Sequence, residues 1–346
     1  MAKNNISITL CIPTYNRANY LPETLESIFN QTYSNFELLV INDGSTDGTD
    51  GLMKKYKDKR LKYLKNHKNL GYIKTMNKGT QMARGDWIMH VSDDDKLRPT
   101  MLEEMVKALE MNVKEDIGFV VPQSANINET GKLISEPPRQ LSNKNYILLN
   151  PKEFIFNFTL YGRKIRDKYQ FNTSFPSTLF NKKILMDLGM SSEEVPVSHD
   201  ILIESKICLK HKVLVLDKAL FEYRVHENWG SSLNRKGTFL NEYQVFMKHL
   251  LAFVKVKDIK FNFDFQRYLD QSFINYLFSY NGGLLRLSAK YNGGYNERIK
   301  KIAEYTKFCI TKDRSLFLSL NFYAVLLASL LPQIGLIKIG QLLRKA

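Results

Sequence analysis

The chain is predicted to fold as an α/β domain with a mostly parallel sheet flanked by helices on both faces. Two observations carry that prediction. Short apolar runs alternate with helix-period segments through the first 120 residues, the rhythm of successive strand-helix-strand units. Three polar clusters, Thr14-Tyr15-Asn16, Asp43-Gly44-Ser45 and Asp93-Asp94-Asp95, stand just past the carboxyl ends of predicted strands. In open parallel sheets those ends line the ligand crevice, so the three clusters are expected to face one site.

Taken in order, residues 6–13 read as a strand, 21–31 as a helix and 36–42 as a second strand. A helix over 50–56, a strand over 61–65, a helix over 73–83 and a strand over 87–92 continue the alternation. Residues 99–111 suit a helix opened by Pro99, and 118–122 a further strand. From about 123 to 171 the pattern loosens, with Pro137-Pro138 and a basic stretch over 163–168, and reads as loops over the crevice. Helices over 182–188 and 200–211 follow, then two strands over 213–216 and 220–225. Beyond Phe239 the chain is mostly helical by period, with Gly282-Gly283 and Gly293-Gly294 marking turns.

The acidic trio is the sharpest local signal. Three like charges at a strand exit repel one another, and something positive must offset them. A hard divalent cation with phosphate oxygens on its far side would do so. Successive side chains of an extended stretch point to opposite faces, so Asp94 and its two neighbours cannot all ligate one ion from the same direction. The competing reading is a solvated loop facing the positive N-terminus of the next helix.

With 346 residues, 44% hydrophobic and 12% aromatic, the chain is long and apolar enough for one large domain with an appendage. Cys11, Cys208 and Cys309 are odd in number and far apart; they read as core residues of a reduced, intracellular protein, not as a disulfide framework. The N-terminal residues run straight into a strand without a signal-peptide pattern, and the expected location is cytoplasmic. The net charge of +15 is concentrated late: residues 230–346 hold 18 Lys+Arg against 7 Asp+Glu, the preceding residues 32 against 28. A basic surplus of that kind suits a negatively charged surface, nucleic acid or anionic lipid, or a solvated face. Residues 316–337 carry no charge but are interrupted by Asn321, Pro332, Gln333 and Gly335. Basic residues flank both ends, leaving no asymmetry to orient a span. Amphipathic helices in the membrane interface, buried helices and a true span are the three readings, the first favoured.

No phosphate loop of the G-x-x-x-x-G-K type, no dinucleotide fingerprint and no zinc-hydrolase motif follows any predicted strand. What the chain does contain is an ordered series: CIPTYNR at 11–17, VINDGSTD at 40–47, NLG at 69–71, Asn77, ARGDWI at 83–88, SDDD at 92–95, and Pro99. In order and spacing it resembles the GT-A fold, a Rossmann-like fold, of the inverting glycosyltransferases of family 2, over roughly residues 6–230.

The resemblance implies roles. Pro13, Thr14 and Tyr15 would wall the nucleotide base, with Asp43 accepting a hydrogen bond from its imide N–H; the other reading of Asp43-Gly44 is a tight turn. Asn69 and Gly71 would lie near the ribose and diphosphate, and Asp93 would contact ribose or phosphate-side groups. Asp94 would be the ligand of Mn²⁺ or Mg²⁺, with Asp95 as the alternative, because Ser92 replaces the first Asp that many relatives carry. Asp200, in Ser198-His199-Asp200, would be the general base; its other reading is a helix cap. His199 replaces the usual Glu, and its role stays open. His226, in the YRVH segment at 223–226, would contact metal or diphosphate. The implied reaction is inverting transfer of a hexosyl or N-acetylhexosaminyl group from a nucleotide-diphospho-sugar, UDP-linked by preference, to a glycan or lipid-linked glycan. Such work belongs to bacterial cell-surface polysaccharide synthesis, with residues 1–230 as the transferase domain. Residues 231–346 would be a basic helical region meeting the inner membrane face through 316–346. A nucleotidyltransferase and a basic nucleic-acid-binding or scaffold protein are the competing readings. Neither explains the whole set: the first lacks a Gly-rich loop after the first strand, and the second leaves the carboxylates idle.

Overall fold

The computed structural model describes residues 6–137, 145–151, 175–196, 198–225 and 238–261. His226 and the uncharged stretch 316–337 therefore lie outside the described residues. Two compact units divide the chain: Met1–Asn157 with Lys164–Trp229, and Phe158–Arg163 with Gly230–Ala346.

The first unit opens with β1 (Ile8–Thr14), α1 (Leu21–Phe29), β2 (Phe36–Asn42), α2 (Thr49–Met53), β3 (Leu61–Lys65), α3 (Tyr72–Met82) and β4 (Trp87–His90). It continues through β5 (Lys96–Leu97), α4 (Met101–Met111), β6 (Ile117–Ile127), β7 (Leu133–Ser135) and β8 (Tyr146–Leu149). A 3₁₀ turn (Phe175–Ser177), β9 (Leu179–Asn181), α5 (Lys182–Asp187), α6 (His199–Cys208) and β10 (Lys212–Arg224) complete it. Among the described residues the strands form one ten-stranded sheet in the order β3-β2-β1-β4-β9-β6-β10-β5, with β7 beside β6 and β8 beside β10.

The predicted α/β class holds, with a mixed sheet. β3, β2, β1 and β4 run parallel, whereas β9 lies antiparallel between β4 and β6. Helices cover both faces. On one, Leu21, Leu25 and Ile28 of α1 and Met101, Leu102, Met105 and Leu109 of α4 close over Leu10, Ile12, Leu38 and Val40. Their i, i+4, i+7 spacing is the stripe that a helix buries against a sheet. On the other, α3 comes so close to β1 that a Cβ on Gly79 would stand 2.1 Å from the Cys11 sulfur. Cys11 and Cys208 are buried and free, and burial pushes the Cys11 thiol up to about 12.

Several boundaries differ from expectation for physical reasons. The expected strand over 118–122 runs on to Ile127, so residues 123–127, expected as loop, belong to β6. Pro122 breaks the sequence pattern, yet it falls between the register positions Val121 and Gln123, where pairing with β10 is irregular and a missing N–H is tolerated. The two strands expected over 213–225 are one strand, β10, bent by register shifts around Ala219. β5, β7, β8 and β9 are too short to leave a periodic signal. In the second unit, α7 (Thr238–Val256) buries Phe246, Met247 and Leu250. Among the described residues no helix is long and apolar enough to cross a membrane.

Candidate active site

The parallel register levels the carboxyl ends: Thr14 of β1 stands opposite Asn42 of β2, which stands opposite Lys65 of β3. The loops leaving β1 and β2 are then laced together. The Asp43 N–H donates to the Thr14 carbonyl at 2.8 Å. Asn16, at φ 53°, donates its N–H to Ser45 Oγ at 3.0 Å and accepts from the Thr46 N–H at 2.8 Å. Asn tolerates that left-handed conformation better than most residues.

Asp43 is 3% exposed, and its carboxylate braces a third loop. Oδ1 accepts from Asn66 Nδ2 at 2.8 Å and the Leu70 N–H at 2.9 Å; Oδ2 accepts from the Gly71 N–H at 2.9 Å. Oδ2 thus keeps a lone pair for a further donor. Asn69 Oδ1 also accepts from the Gly71 N–H, at 2.8 Å. Gly44 is required at this crossing: its φ is +76°, and a Cβ would meet the Asn69 nitrogen at 2.8 Å. Tyr15, Leu70 and Tyr72 are left exposed around this edge, apolar surface at the mouth of a polar crevice.

The acidic trio lies in a turn between β4 and β5, not in a strand, and its burial does not follow the alternation expected of an extended stretch. The Val91 N–H still bonds the Cys11 carbonyl at 2.9 Å, which brings the trio alongside the end of β1. Asp93 and Asp94 are half-buried, Asp95 buried. Asp95 Oδ1 accepts the Arg224 backbone N–H at 2.8 Å, while its buried Oδ2 has no hydrogen-bond partner among the described residues. Burial, then the charge of Asp94, holds the Asp95 carboxyl well above the usual carboxylate range. Asp93 is pushed up to about 7 by burial and by Asp94, with the Thr14 hydroxyl, Arg17 and the Tyr15 N–H pulling the other way.

Asp200 lies in the first turn of α6, behind the N-cap residue Ser198. It is not itself the N-cap, although its Oδ1 accepts the Ile201 N–H at 2.7 Å. Burial raises its carboxyl above the ordinary range, against the pull of His199. His199 turns inward: Nδ1 meets Ser191 Oγ at 3.2 Å, its ring stands edge-on to Phe175, and burial lowers its pKa. Asn77 on α3 clamps the Ser191 backbone from both sides, donating at 2.8 Å and accepting at 3.1 Å. A hydrogen-bonded path therefore runs from α3 through Ser191 to the start of α6.

Three residues of this region escape sequence reasoning. The Tyr72 ring centroid lies 5.9 Å from that of His199. Although Tyr72 is 43% exposed, protein packs around its phenol, which burial and then the Asp200 charge raise, with Cys11, Asp93 and Asp95 adding. Glu204, one turn after Asp200, accepts from Thr178 Oγ1 at 3.3 Å; burial and the Asp200 charge push it up to about 8. His90, buried on β4, meets Thr80 Oγ1 at 2.8 Å, stacks on Phe175 and is lowered to about 3 by burial. The i, i+4 spacing of Asp200 and Glu204 was a legible hint; the other two depend on tertiary contact.

Stability is expected to fall with rising pH in the ligand-free protein. Asp93 and Glu204 have folded pKa values raised above 3.8 and 4.5, to about 7 and about 8. Their contributions are full below the unfolded values and are lost as pH rises through the folded ones. The melting temperature should therefore decline between about pH 4 and 8, D93N flattening the lower part of the decline and E204Q the upper.

Among the described residues no group of three or more His, Cys, Asp or Glu side chains is arranged to hold a metal ion. The donor chemistry nevertheless fits a hard cation whose remaining ligands are phosphate oxygens and water: Asp93 and Asp94 are adjacent half-buried carboxylates, and burial, then the Asp94 charge, raises Asp93.

Against known proteins, the profile described as glycosyl transferase family 2 matches residues 9–186, just over half of the chain. The chain belongs to glycosyl transferase family 2. This family 2 chain is 25% identical over 305 residues to an uncharacterized glycosyltransferase of Rickettsia typhi, covering 85% of this chain and 90% of that one. It is 26% identical over 255 residues to glycosyltransferase GlyA of Streptococcus pneumoniae, covering 67% of this chain and 32% of that protein. An uncharacterized glycosyltransferase of Haemophilus influenzae is 39% identical over 109 residues, 31% of this chain and 33% of the other. The family 2 chain thus spans about a third of the length of the last two relatives. Among solved structures, residues 1–349 of TarS from S. aureus in complex with UDP-GlcNAc align with TM-score 0.63 at 18% identity, covering 98% of this chain and 92% of TarS 1–349. The same TarS segment with UDP aligns with TM-score 0.52 at 18% identity, covering 90% of this chain and 91% of that one. The shared fold is that of a GT-A glycosyltransferase, and this family 2 chain is by its family a transferase.

Proposed function

We propose that this protein moves a sugar from a UDP-linked donor to a hydroxyl of a glycan or lipid-linked glycan, with inversion at the anomeric carbon. The observation that carries the reading is the gathering of Asp43, the acidic turn and Asp200 along one carboxyl edge of the sheet, with Tyr72 under the charges of Asp93, Asp95 and Asp200. Pro13, Thr14 and Tyr15 form the wall for the base, and Asp43 Oδ2 keeps a lone pair for its imide N–H. Leaving a buried donor unpaired costs about 1–3 kcal/mol, enough to prefer uracil over a base without that edge. Gly71, held by Asp43, and Asn69, which accepts from the same Gly71 N–H, border the ribose and diphosphate, where Asp93 and Arg17 also stand. The TarS structures with UDP-GlcNAc and UDP support a uridine nucleotide as the donor class.

Asp94 is our choice for the Mn²⁺ or Mg²⁺ ligand, with His226 as a further contact. We place Asp95 behind it, because Asp95 is buried and bound to the Arg224 N–H. The ion would offset charge on the leaving diphosphate. Asp200 takes the proton from the acceptor hydroxyl as that oxygen forms its bond to the anomeric carbon. The bond from that carbon to the diphosphate oxygen breaks, and its electron pair leaves with UDP. The raised pKa of Asp200 brings the base nearer to neutral pH, where a general base works best. The late basic surplus supports docking of residues 231–346 on the inner face of a cell membrane, as in surface polysaccharide synthesis. Flotation with anionic liposomes should be lost when the chain is cut before Arg314.

Calorimetry with UDP and a panel of UDP-sugars, with and without Mn²⁺, tests the central claim. Binding is expected to need Mn²⁺ and to drop about 10- to 100-fold in D94A. Binding indifferent to both the ion and Asp94 would overturn the reading.

A further inference from the structure

We propose that Arg224 is a positioning residue for the diphosphate end of the site, holding the acidic turn in register from behind. The inference rests on the nucleotide-sugar reading above.

Arg224 is 1% exposed and the bulkiest of the fully buried side chains, an uncommon location for a guanidinium. Its donors reach three segments distant in sequence. Nε donates to the Asp94 carbonyl at 2.6 Å. Nη1 donates to the carbonyls of Glu129 at 2.8 Å and Asn128 at 3.3 Å, in the turn between β6 and β7. Nη2 donates to Glu23 Oε2 at 2.9 Å, in the first turn of α1. The Tyr20 ring lies 5.2 Å from the guanidinium carbon, and the Arg224 backbone N–H holds Asp95 Oδ1. Gly131, at φ +80°, lets the β6–β7 turn close over the pair: a Cβ there would stand 3.3 Å from Glu23 Oε2 and 3.7 Å from Nη1.

The way Arg224 binds the turn is informative. It engages Asp94 through the carbonyl, so its hold falls on the main chain of the turn. It engages Asp95 through the main chain, drawing that side chain inward while Asp93 and Asp94 stay at half-buried positions. α1 begins just after the Thr14-Tyr15-Asn16 loop, so the Glu23 contact ties the nucleotide-side helix to the same post. An ion pair with one half-exposed partner contributes little net stability; this one fixes where a turn stands. A lysine could not replace it, because an ammonium is a point charge without the planar fork needed to reach several acceptors at once.

The test compares uridine with UDP plus Mn²⁺ as ligands of the full chain, in R224K, R224Q and E23Q, with folding checked by circular dichroism. The Arg224 variants are expected to lose UDP·Mn²⁺ affinity by about 10- to 100-fold, the range for residues that orient metal ligands, with uridine binding unchanged. E23Q keeps the test valid if those variants fail to fold: the Glu23 side chain is 47% exposed and all the carbonyl bonds survive. A smaller loss of UDP·Mn²⁺ affinity is expected there, again without change for uridine. Parallel loss of both ligands in a folded variant, or wild-type UDP·Mn²⁺ affinity in E23Q and the folded Arg224 variants, overturns the assignment. Wild-type protein that binds neither ligand instead overturns the nucleotide-sugar reading, and this inference with it.

Discussion

Asp200→Asn is expected to reduce transfer by about 10²- to 10⁴-fold, the usual contribution of a general base, while UDP binding in the presence of Mn²⁺ stays at the wild-type level. The reasoning is local. Asn is nearly isosteric and can still accept the Ile201 N–H that Asp200 Oδ1 holds at 2.7 Å, so the first turn of α6 keeps its geometry. It cannot take a proton from an acceptor hydroxyl. Because the Asp200 carboxyl is raised by burial, the wild-type rate should also show an acid limb above the ordinary aspartate range, and D200N should lack it. Unchanged turnover in D200N would make the residue a supporter of the helix start alone. Steady-state rates from pH 5 to 8, set beside calorimetry, separate the two.

Asp43→Ala should produce the largest effect on stability, about 3–5 kcal/mol from the loss of three hydrogen bonds to one buried carboxylate. Asn66 Nδ2 and the N–H groups of Leu70 and Gly71 would all lose Asp43 as acceptor, with Thr75 Oγ1 remaining to Asn66 Nδ2 at 3.2 Å. The Gly71 N–H retains Asn69 Oδ1, which sets the loss nearer the lower end. Chemical denaturation measures the stability change, and UDP titration of the folded fraction should show donor binding abolished as well. A stability loss with UDP affinity intact would confine Asp43 to bracing the 66–71 loop.

The fold was legible wherever a strand or helix was long enough to show its period. β1 to β4 and α1 to α4 stand within a few residues of where alternating apolar runs put them, because each must bury a continuous face. The misses have different causes. Pro122 hid the second half of β6, since a proline in a strand is tolerated only at irregular pairing, and that irregularity comes from β10, between Val215 and Ala219. β5 and β9 have two and three residues; the sheet around them, not their own propensity, makes them strands. At the site, Asp43 and Asp93 could be nominated because the carboxyl-end rule applies to any parallel sheet. Arg224 could be noticed but not understood. Its partners Glu23, Asp94 and Glu129 lie 201, 130 and 95 positions away, and no local pattern records such a junction. His199 is similar: its identity departs from the family pattern, and only the contacts with Ser191 and Phe175 show an inward-facing ring.

The path from Asn77 through Ser191 to His199 acts as a spacer bar between two chemical stations. α3 begins at the loop that Asp43 braces, and α6 begins at Asp200, the base of the proposed transfer. Side-chain hydrogen bonds to the Ser191 backbone and from its hydroxyl, not flexible surface charges, tie the two starts together, so in the proposed reaction the space left for a hydroxyl is set before any sugar arrives.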